Sequence, residues 1–333
     1  MSTRKFHLTP IQHLASVLAR RGVPGARRVM VRAGVFDDAH WHDAPRMPVR
    51  LRWCRATVEL DLAEHWERSA WFLGRYHELP LLLLMNSVLK PGDTFVDIGA
   101  NLGLVSLHAA RLVGPRGSVH AYEPNPDVFA RLEHHVDSSS FRNITLHPYA
   151  LAAREDTLML SVIGKNTGSG TIGTPLPHLA ERVTRTHTVP VRPAAHDAPA
   201  WAGPNRRIFL KIDVEGAERA ILTSLVDFNK ELKPLIVTEI NPAALRMNGT
   251  NAAETRHALE HAGCHGWTFD LRTIAPRRFR PARLALHEPS WPHLRDELWM
   301  HPDSPFRVDV DRAAPATHAS SAAHTPAQGG AHR

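Results

Sequence analysis

Short apolar, β-branched runs alternate with amphipathic stretches along most of this chain. Thr57, Val58, Glu59 and Leu60 alternate with the two-residue period of a half-buried strand. An apolar-aromatic stretch through Trp66, Trp71, Phe72 and Tyr76 predicts a helix, and residues 80–89 predict another, stopped by Pro91-Gly92. Strand and helix then take turns over 94–98, 103–112, 118–123, 126–136 and 144–148. Strand-like runs at 158–163 and 186–192 flank a Gly-rich segment. A strand at 208–213, a helix from Ala217, a strand at 235–240 and a helix near 252–262 continue the series. Residues 267–271 and 298–300 read as a closing antiparallel pair. Such alternation predicts an α/β fold: a doubly wound, mostly parallel, seven-stranded sheet of the Rossmann-like kind, covered on both faces.

The two ends read differently. Thr9-Pro10 followed by Ile11, Leu14, Val17 and Leu18 is a capped amphipathic helix closed by Gly22. Residues 23–55 look irregular and basic, so residues 1–56 are expected to be an N-terminal extension and 57–305 the α/β domain. Residues 306–333, Ala/His/Thr/Ser/Gly-rich, have too few large apolar side chains to order themselves and are expected to be a disordered tail.

The most informative stretch lies between Asp93 and Glu123. The strand Thr94-Phe95-Val96-Asp97-Ile98 empties into Gly99-Ala100-Asn101-Leu102-Gly103, a helix follows, and the next strand ends on Glu123. Glycines let the main chain turn sharply and let a ligand approach it closely. An acid at the tip of the second strand suits the paired hydroxyls of a ribose. A dinucleotide site would read G-x-G-x-x-G, with pyrophosphate on the helix N-terminus. Here Asp97 sits at the strand end and Asn101 stands where a second glycine would be. An acid beside the turn repels phosphate and attracts an ammonium. A ribose with a cationic amino-acid tail fits, and the inferred cofactor is S-adenosylmethionine. An ordinary βα turn is the plainer reading, but it does not account for the strand, acid, glycines, helix and terminal acid occurring in register.

Composition narrows the partners. With 333 residues, 43% of them hydrophobic, the chain can bury a substantial core. No apolar run approaches the ~20 residues of a membrane helix, and the basic N-terminus lacks a signal-peptide core. Cys54 and Cys264 have no zinc-type spacing and form no disulfide framework, so a reducing cytoplasm is the expected location. The net charge of +7 is unevenly placed: the first 55 residues hold eleven Lys/Arg against three acids. That surplus attracts a polyanion or membrane surface, or is a solvated arm packed on the domain. The oligomeric state is not legible.

A second motif, Lys211-Ile212-Asp213-Val214-Glu215-Gly216-Ala217-Glu218, ends a buried strand on Asp213 and opens a helix. Strand carboxyl ends face the ligand crevice in doubly wound sheets, so Asp213 is expected beside the cofactor. Glu239 is delivered near the end of the next strand. Asp213 and Glu239 can act as acid/base groups, with Asp213 the candidate base or substrate-orienting group. A shared Mg²⁺ is a second way to acidify a hydroxyl, one the sequence does not strongly indicate. Glu215 is a candidate for chemistry or a helix N-terminal charge; Glu218 is read as the latter. His147 and His187, near strand ends, are weaker base candidates.

The segments DTFVDIGANLG, HAYEPNP, HPYALAAREDT, FLKIDVEGAE and LIVTEI, in this order, resemble the FkbM family of S-adenosylmethionine-dependent methyltransferases. The resemblance runs from about residue 57 to 302, and the K-x-D-x-E-G-x-E signature is its specific part. It implies O-methylation of a hydroxyl on a small natural product, sugar or glycan. Carried over, Asp97, Gly99, Asn101 and Gly103 cradle the methionine portion, Glu123 holds the ribose, and Tyr149-Ala150 approaches the adenine. Residues 165–170 resemble an Asn/Gly/Ser-rich loop over the substrate side. The family's Tyr-Glu before its first core helix is one residue longer here, Tyr76-His77-Glu78. Two opposing readings are an RNA or other nucleic-acid methyltransferase using the basic arm, and a non-catalytic cofactor-binding scaffold. Asp213-Val214-Glu215-Gly216 is not the type of motif that stacks a flipped base, and the arm has few interleaved aromatics, which makes nucleic acid an unlikely partner. Intact cofactor residues argue against the scaffold.

Overall fold

A computed structural model describes residues 6–163, 170–172, 181, 183–202, 207–269, 286–287 and 295–313. Five parallel strands form its centre: β3 (Thr94–Ile98), β4 (Ser118–Tyr122), β5 (Ile144–His147), β10 (Ile208–Ile212) and β11 (Leu235–Ile240). Their spatial order is β5-β4-β3-β10-β11, and β14 (Arg295–Met300), β12 (His265–Phe269) and β13 (Leu286–His287) extend it antiparallel beyond β11. The sheet is thus the expected mostly parallel one, with a two-residue eighth strand at its edge. Reversal of strand order beside β3 opens a crevice at the carboxyl ends of β3 and β10, where such folds bind ligands.

Both faces of β3 and β10 are buried, which is why they read as nearly unbroken apolar runs. Phe95 and Phe209 pack on one side with α4 (Leu79–Val88) and α5 (Leu104–Val113). Val96, Ile98, Leu210 and Ile212 pack on the other with Trp201 of α7 (Ala194–Trp201) and Ile221 of α8 (Glu218–Ser224). A second sheet, in the order β6-β9-β7-β8, is built from β6 (Ala150–Ala152), β7 (Asp156–Ile163), β8 (Gly170–Ile172) and β9 (Val183–Pro193).

The N-terminal residues do not stand apart. α1 (Pro10–Arg21) has Thr9 and Gln12 in a capping box and Gly22 as its left-handed stop. The segment read as irregular contains α2 (Ala26–Arg32) and β1 (Arg46–Arg50), which pairs antiparallel with β2 (Thr57–Asp61). Seven helical residues and an edge strand interrupted by Pro48 are too short to show a period. Leu8, Ala15, Met30, Val35, Trp41 and Val49 share one apolar cluster with Phe72 of α3 (His65–Leu73) and Leu132 of α6 (Pro126–Asp137). The break drawn at residue 56 therefore runs through a common core.

At the other end, α12 (Arg307–Ala313) lies inside the segment expected to be a tail. Phe306 and Val310 are buried beside α4, and Asp309 pairs with Lys90 at 2.7 Å and Arg207 at 3.1 Å. Residues 165–169 of the Asn/Gly/Ser-rich loop and 314–333 of the tail lie outside the described residues.

Candidate active site

The turn after β3 is held open by main-chain bonds. The Gly99 and Ala100 amides both donate to the Tyr122 carbonyl, at 3.0 and 2.9 Å, while the Asp213 amide donates to the Ile98 carbonyl at 3.0 Å. Gly99 has φ +84° and lies so close to β10 that a Cβ there would sit 1.8 Å from the Asp213 carbonyl oxygen. Only glycine allows that approach. Asn101 is left-handed as well, with φ +50°, and its amide donates to Glu123 Oε2 at 2.9 Å. The Asn125 amide donates to Glu123 Oε1 at 2.9 Å. Each Glu123 oxygen keeps a lone pair beyond these bonds. Burial pushes the Glu123 carboxyl up to about 7, against the pull of the two amides.

The crevice is a cavity of about 480 Å³. Eight of the ten sequence-predicted site residues line it: Gly99, Asn101, Glu123, Tyr149, Ala150, Asp213, Glu215 and Glu239. Two do not. Asp97 is fully buried behind the turn, accepting from Ser106 Oγ at 2.6 Å and facing Lys211 Nζ at 3.5 Å. Gly103 makes room for packing, since a Cβ there would meet Leu132 Cδ1 at 2.4 Å. Asp97 and Gly103 therefore support the cradle from behind.

Lys211 is the residue whose importance the sequence reading missed. It precedes Asp213, the residue just past the end of β10, by two positions, and the extended spacing brings both side chains to the same side. Only 4% exposed, its Nζ lies 3.1 Å from Asp213 Oδ2, 3.5 Å from Asp97 Oδ1 and 3.4 Å from the Gly99 carbonyl. Burial alone would lower its pKa; Asp213, Asp97 and Glu78 raise it above its ordinary value. The positive charge among these carboxylates is thus an ammonium of the chain. Among the described residues, no group of three or more His, Cys, Asp or Glu side chains is arranged to hold a metal.

The remaining acids differ in state. Burial, followed by repulsion from Asp213, Glu215, Asp296 and Glu78, drives Glu239 up to about 10. Glu215, left-handed at φ +54°, accepts from Asn241 Nδ2 at 3.0 Å and is pushed to about 7, chiefly by burial. Glu218 accepts from the Val214 and Gly216 amides at 3.2 and 3.1 Å, so it caps the turn.

Tyr149 is braced from behind: its hydroxyl donates to Asp197 Oδ2 at 2.7 Å and lies 3.0 Å from His147 Nδ1. The His147 ring stacks on Tyr122 at 4.1 Å, and burial lowers its pKa to about 4. His147 lies outside the cavity lining, as does His187, which pairs with Asp127 at 3.3 Å. Both read as candidate bases in the sequence, and neither contributes to the lining of the cavity.

A wall outside the glycine turn was also missed in part. Glu64, Trp66 and Ala70 of the α3 region and Tyr76, His77 and Glu78 line the cavity. Trp66 is 49% exposed and stacks on His77 at 4.6 Å, and burial keeps that imidazole neutral by lowering its pKa to about 4. The signal for Tyr76 and Glu78 was present in the sequence, but the inserted His77 obscured it.

Buried oxygens of Glu78, Asn101 and Glu239 have no hydrogen-bond partner among the described residues. The Asn101 amide oxygen, an acceptor in any state, fits a ligand that brings a hydrogen-bond donor. Ribose hydroxyls and an ammonium meet that requirement; a pyrophosphate, which has only acceptors, does not.

Fold and cavity together define a Rossmann-like, S-adenosylmethionine-dependent methyltransferase. The comparison with known families agrees: the chain belongs to the methyltransferase FkbM domain family, whose sequence model matches residues 97–265, half of the chain. It is 31% identical over 179 residues to 31-O-demethyl-FK506 methyltransferase FkbM of Streptomyces tacrolimicus, covering 46% of this chain and 67% of that protein. It is 27% identical over 164 residues to Methyltransferase 1 of Beauveria bassiana (strain ARSEF 2860), covering 45% of this chain and 66% of the relative. The chain thus spans about two thirds of the length of these curated relatives. Among solved structures, methyltransferase FkbM from Methylobacillus flagellatus KT aligns with 85% of this chain and 61% of its own, at 14% identity and a TM-score of 0.37.

Proposed function

We propose that this chain transfers the methyl group of S-adenosylmethionine to a hydroxyl of a small natural product, sugar or glycan. The observation that carries the reading is one cavity with Glu123 at the tip of β4 and Asp213 at the end of β10, walled by the half-exposed Trp66. Support for a hydroxyl acceptor comes from the relative named as a 31-O-demethyl-FK506 methyltransferase.

The bound cofactor supplies an electrophilic methyl on a sulfonium. Glu123 accepts hydrogen bonds from the two ribose hydroxyls, and the turn of Gly99 and Asn101 cradles the methionine portion, supported by Asp97 and Gly103. Tyr149 and Ala150 flank the adenine. Asp213 orients the acceptor hydroxyl and takes its proton. Holding the nucleophile in line with the methyl supplies much of the rate. Glu239, held protonated by burial and by its acidic neighbours, donates a hydrogen bond to the acceptor instead of serving as base. Glu215 lies on the acceptor side, fixed by Asn241. Charge compensation by Lys211 makes a Mg²⁺ shared by Asp213 and Glu239 unnecessary in this reading.

Asp213→Asn keeps the shape and removes the charge. We expect turnover on a hydroxyl acceptor to fall roughly 10²–10⁴-fold with cofactor affinity little changed. A chelator should leave the parent rate unaltered. Normal turnover by a folded Asp213→Asn protein would remove Asp213 from the chemistry, and tight NAD binding without a response to S-adenosylmethionine would overturn the cofactor assignment.

A further inference from the structure

Among the described residues nine large apolar side chains are exposed, and six of them, Phe6, Ile11, Leu14, Val17, Val23 and Val31, fall within residues 6–31. The pattern on α1 is inverted relative to an ordinary surface helix. Its inward face carries Gln12, Ala15 and Ser16, with Gln12 Nε2 donating to the Ala33 carbonyl at 3.4 Å. Ile11, Leu14 and Val17, spaced three apart, share the outward face at 41%, 51% and 43% exposure. A large contiguous apolar face on a folded protein marks an interaction site.

Charge identifies the partner. Between residues 6 and 36 the chain contains no Asp or Glu, and it carries Arg20, Arg21, Arg27, Arg28 and Arg32. Arg20 is engaged, donating to the Trp71 carbonyl at 3.0 Å and lying 4.5 Å from its ring centre. Arg21, Arg27, Arg28 and Arg32 are exposed, and α2 packs directly on α1. Apolar side chains flanked by arginines, on a helix lying flat against its own domain, match the requirements of an anionic bilayer surface. Among the described residues no helix is long and apolar enough to cross a membrane, so contact would be in the plane of the interface.

We propose that α1 and α2 dock this chain on an anionic lipid bilayer, with Ile11, Leu14 and Val17 entering the headgroup boundary and Arg21, Arg27 and Arg28 facing the lipid charge. The proposal does not depend on the methyl acceptor, because none of these residues lines the cavity.

Co-sedimentation of the full chain with phosphatidylcholine vesicles, with and without phosphatidylglycerol, tests it. The protein should pellet with phosphatidylglycerol vesicles, and high salt should release it. Leu14→Gln/Val17→Gln should abolish pelleting while S-adenosylmethionine binding persists, which shows that the variant is folded. Each of Arg21→Gln, Arg27→Gln and Arg28→Gln should weaken it roughly fivefold. No pelleting, or pelleting indifferent to phosphatidylglycerol and to these substitutions, overturns the proposal. So does a dimer in light scattering that Leu14→Gln/Val17→Gln dissociates, which would assign the face to a second copy. Binding of duplex DNA without vesicle binding would assign it to nucleic acid.

Discussion

Replacing Lys211 by Met is the most direct test of how this site is held together. The side chain keeps its length and loses its charge at a position only 4% exposed. With an effective dielectric of about 20, an ammonium 3.1 Å from Asp213 and 3.5 Å from Asp97 gains about 5 kcal/mol from each. Desolvating the ions takes back several kcal/mol. What remains after removal is an uncompensated buried carboxylate, so the expected loss is about 3–5 kcal/mol. The melting temperature should fall by on the order of 10 °C. Asp97, fully buried and already pushed up by burial, would then titrate higher still. A carboxyl whose folded pKa is raised stabilises in acid and loses that contribution as pH rises through the folded value. The deficit of Lys211→Met should therefore be larger at pH 7.5 than at pH 5. Asp97→Asn in the Lys211→Met background should recover part of it, because the double variant no longer buries the charge. Thermal melts of the parent, Lys211→Met, Asp97→Asn and the double variant at both pH values measure this. Equal melting of Lys211→Met and parent at both pH values would refute the three-way tie.

Four further expectations follow from the structure. Glu123 sits near 7 in the cavity, and ribose hydroxyls favour its ionised form, so cofactor affinity should rise between pH 5 and 7.5 with proton release; calorimetry in two buffers checks this, and Glu123→Gln should flatten the profile. The folded protein without cofactor should lose stability as pH rises toward 7, because Glu64, Glu123, Glu215 and Glu218 all have folded values near 7, above their unfolded ones, and urea unfolding at pH 5 and 8 reads the sign. Gly99→Ala must move the Asp213 carbonyl from a Cβ placed 1.8 Å away and adopt φ +84°, so cofactor binding should be lost and the fold weakened by at least the roughly 1–2 kcal/mol of a left-handed residue, as calorimetry and melting will show. Deleting residues 1–50 removes Trp41, Met30 and Val35 from the cluster around Phe72, so the shortened chain should fail to give a cooperative melt.

The sequence by itself determined the parallel centre, the glycine turn and eight residues of the cavity lining. These are local: buried strands read as apolar runs, and Gly99, Glu123 and Asp213 stand at strand ends that the βα alternation fixes. Tertiary structure decided what depends on packing between distant segments. It set Asp97 behind the turn and brought Lys211 between it and Asp213. It swung Trp66 and His77 into the cavity wall and engaged both ring nitrogens of His147 with Tyr149 and His120. It also joined the basic N-terminal residues to the main core, since net charge describes a surface while burial of Trp41 or Met30 depends on which helix lies opposite. The outward apolar face of α1 has the same origin. A helical period shows that one face is apolar, and only the fold decides whether that face turns toward the core or toward solvent.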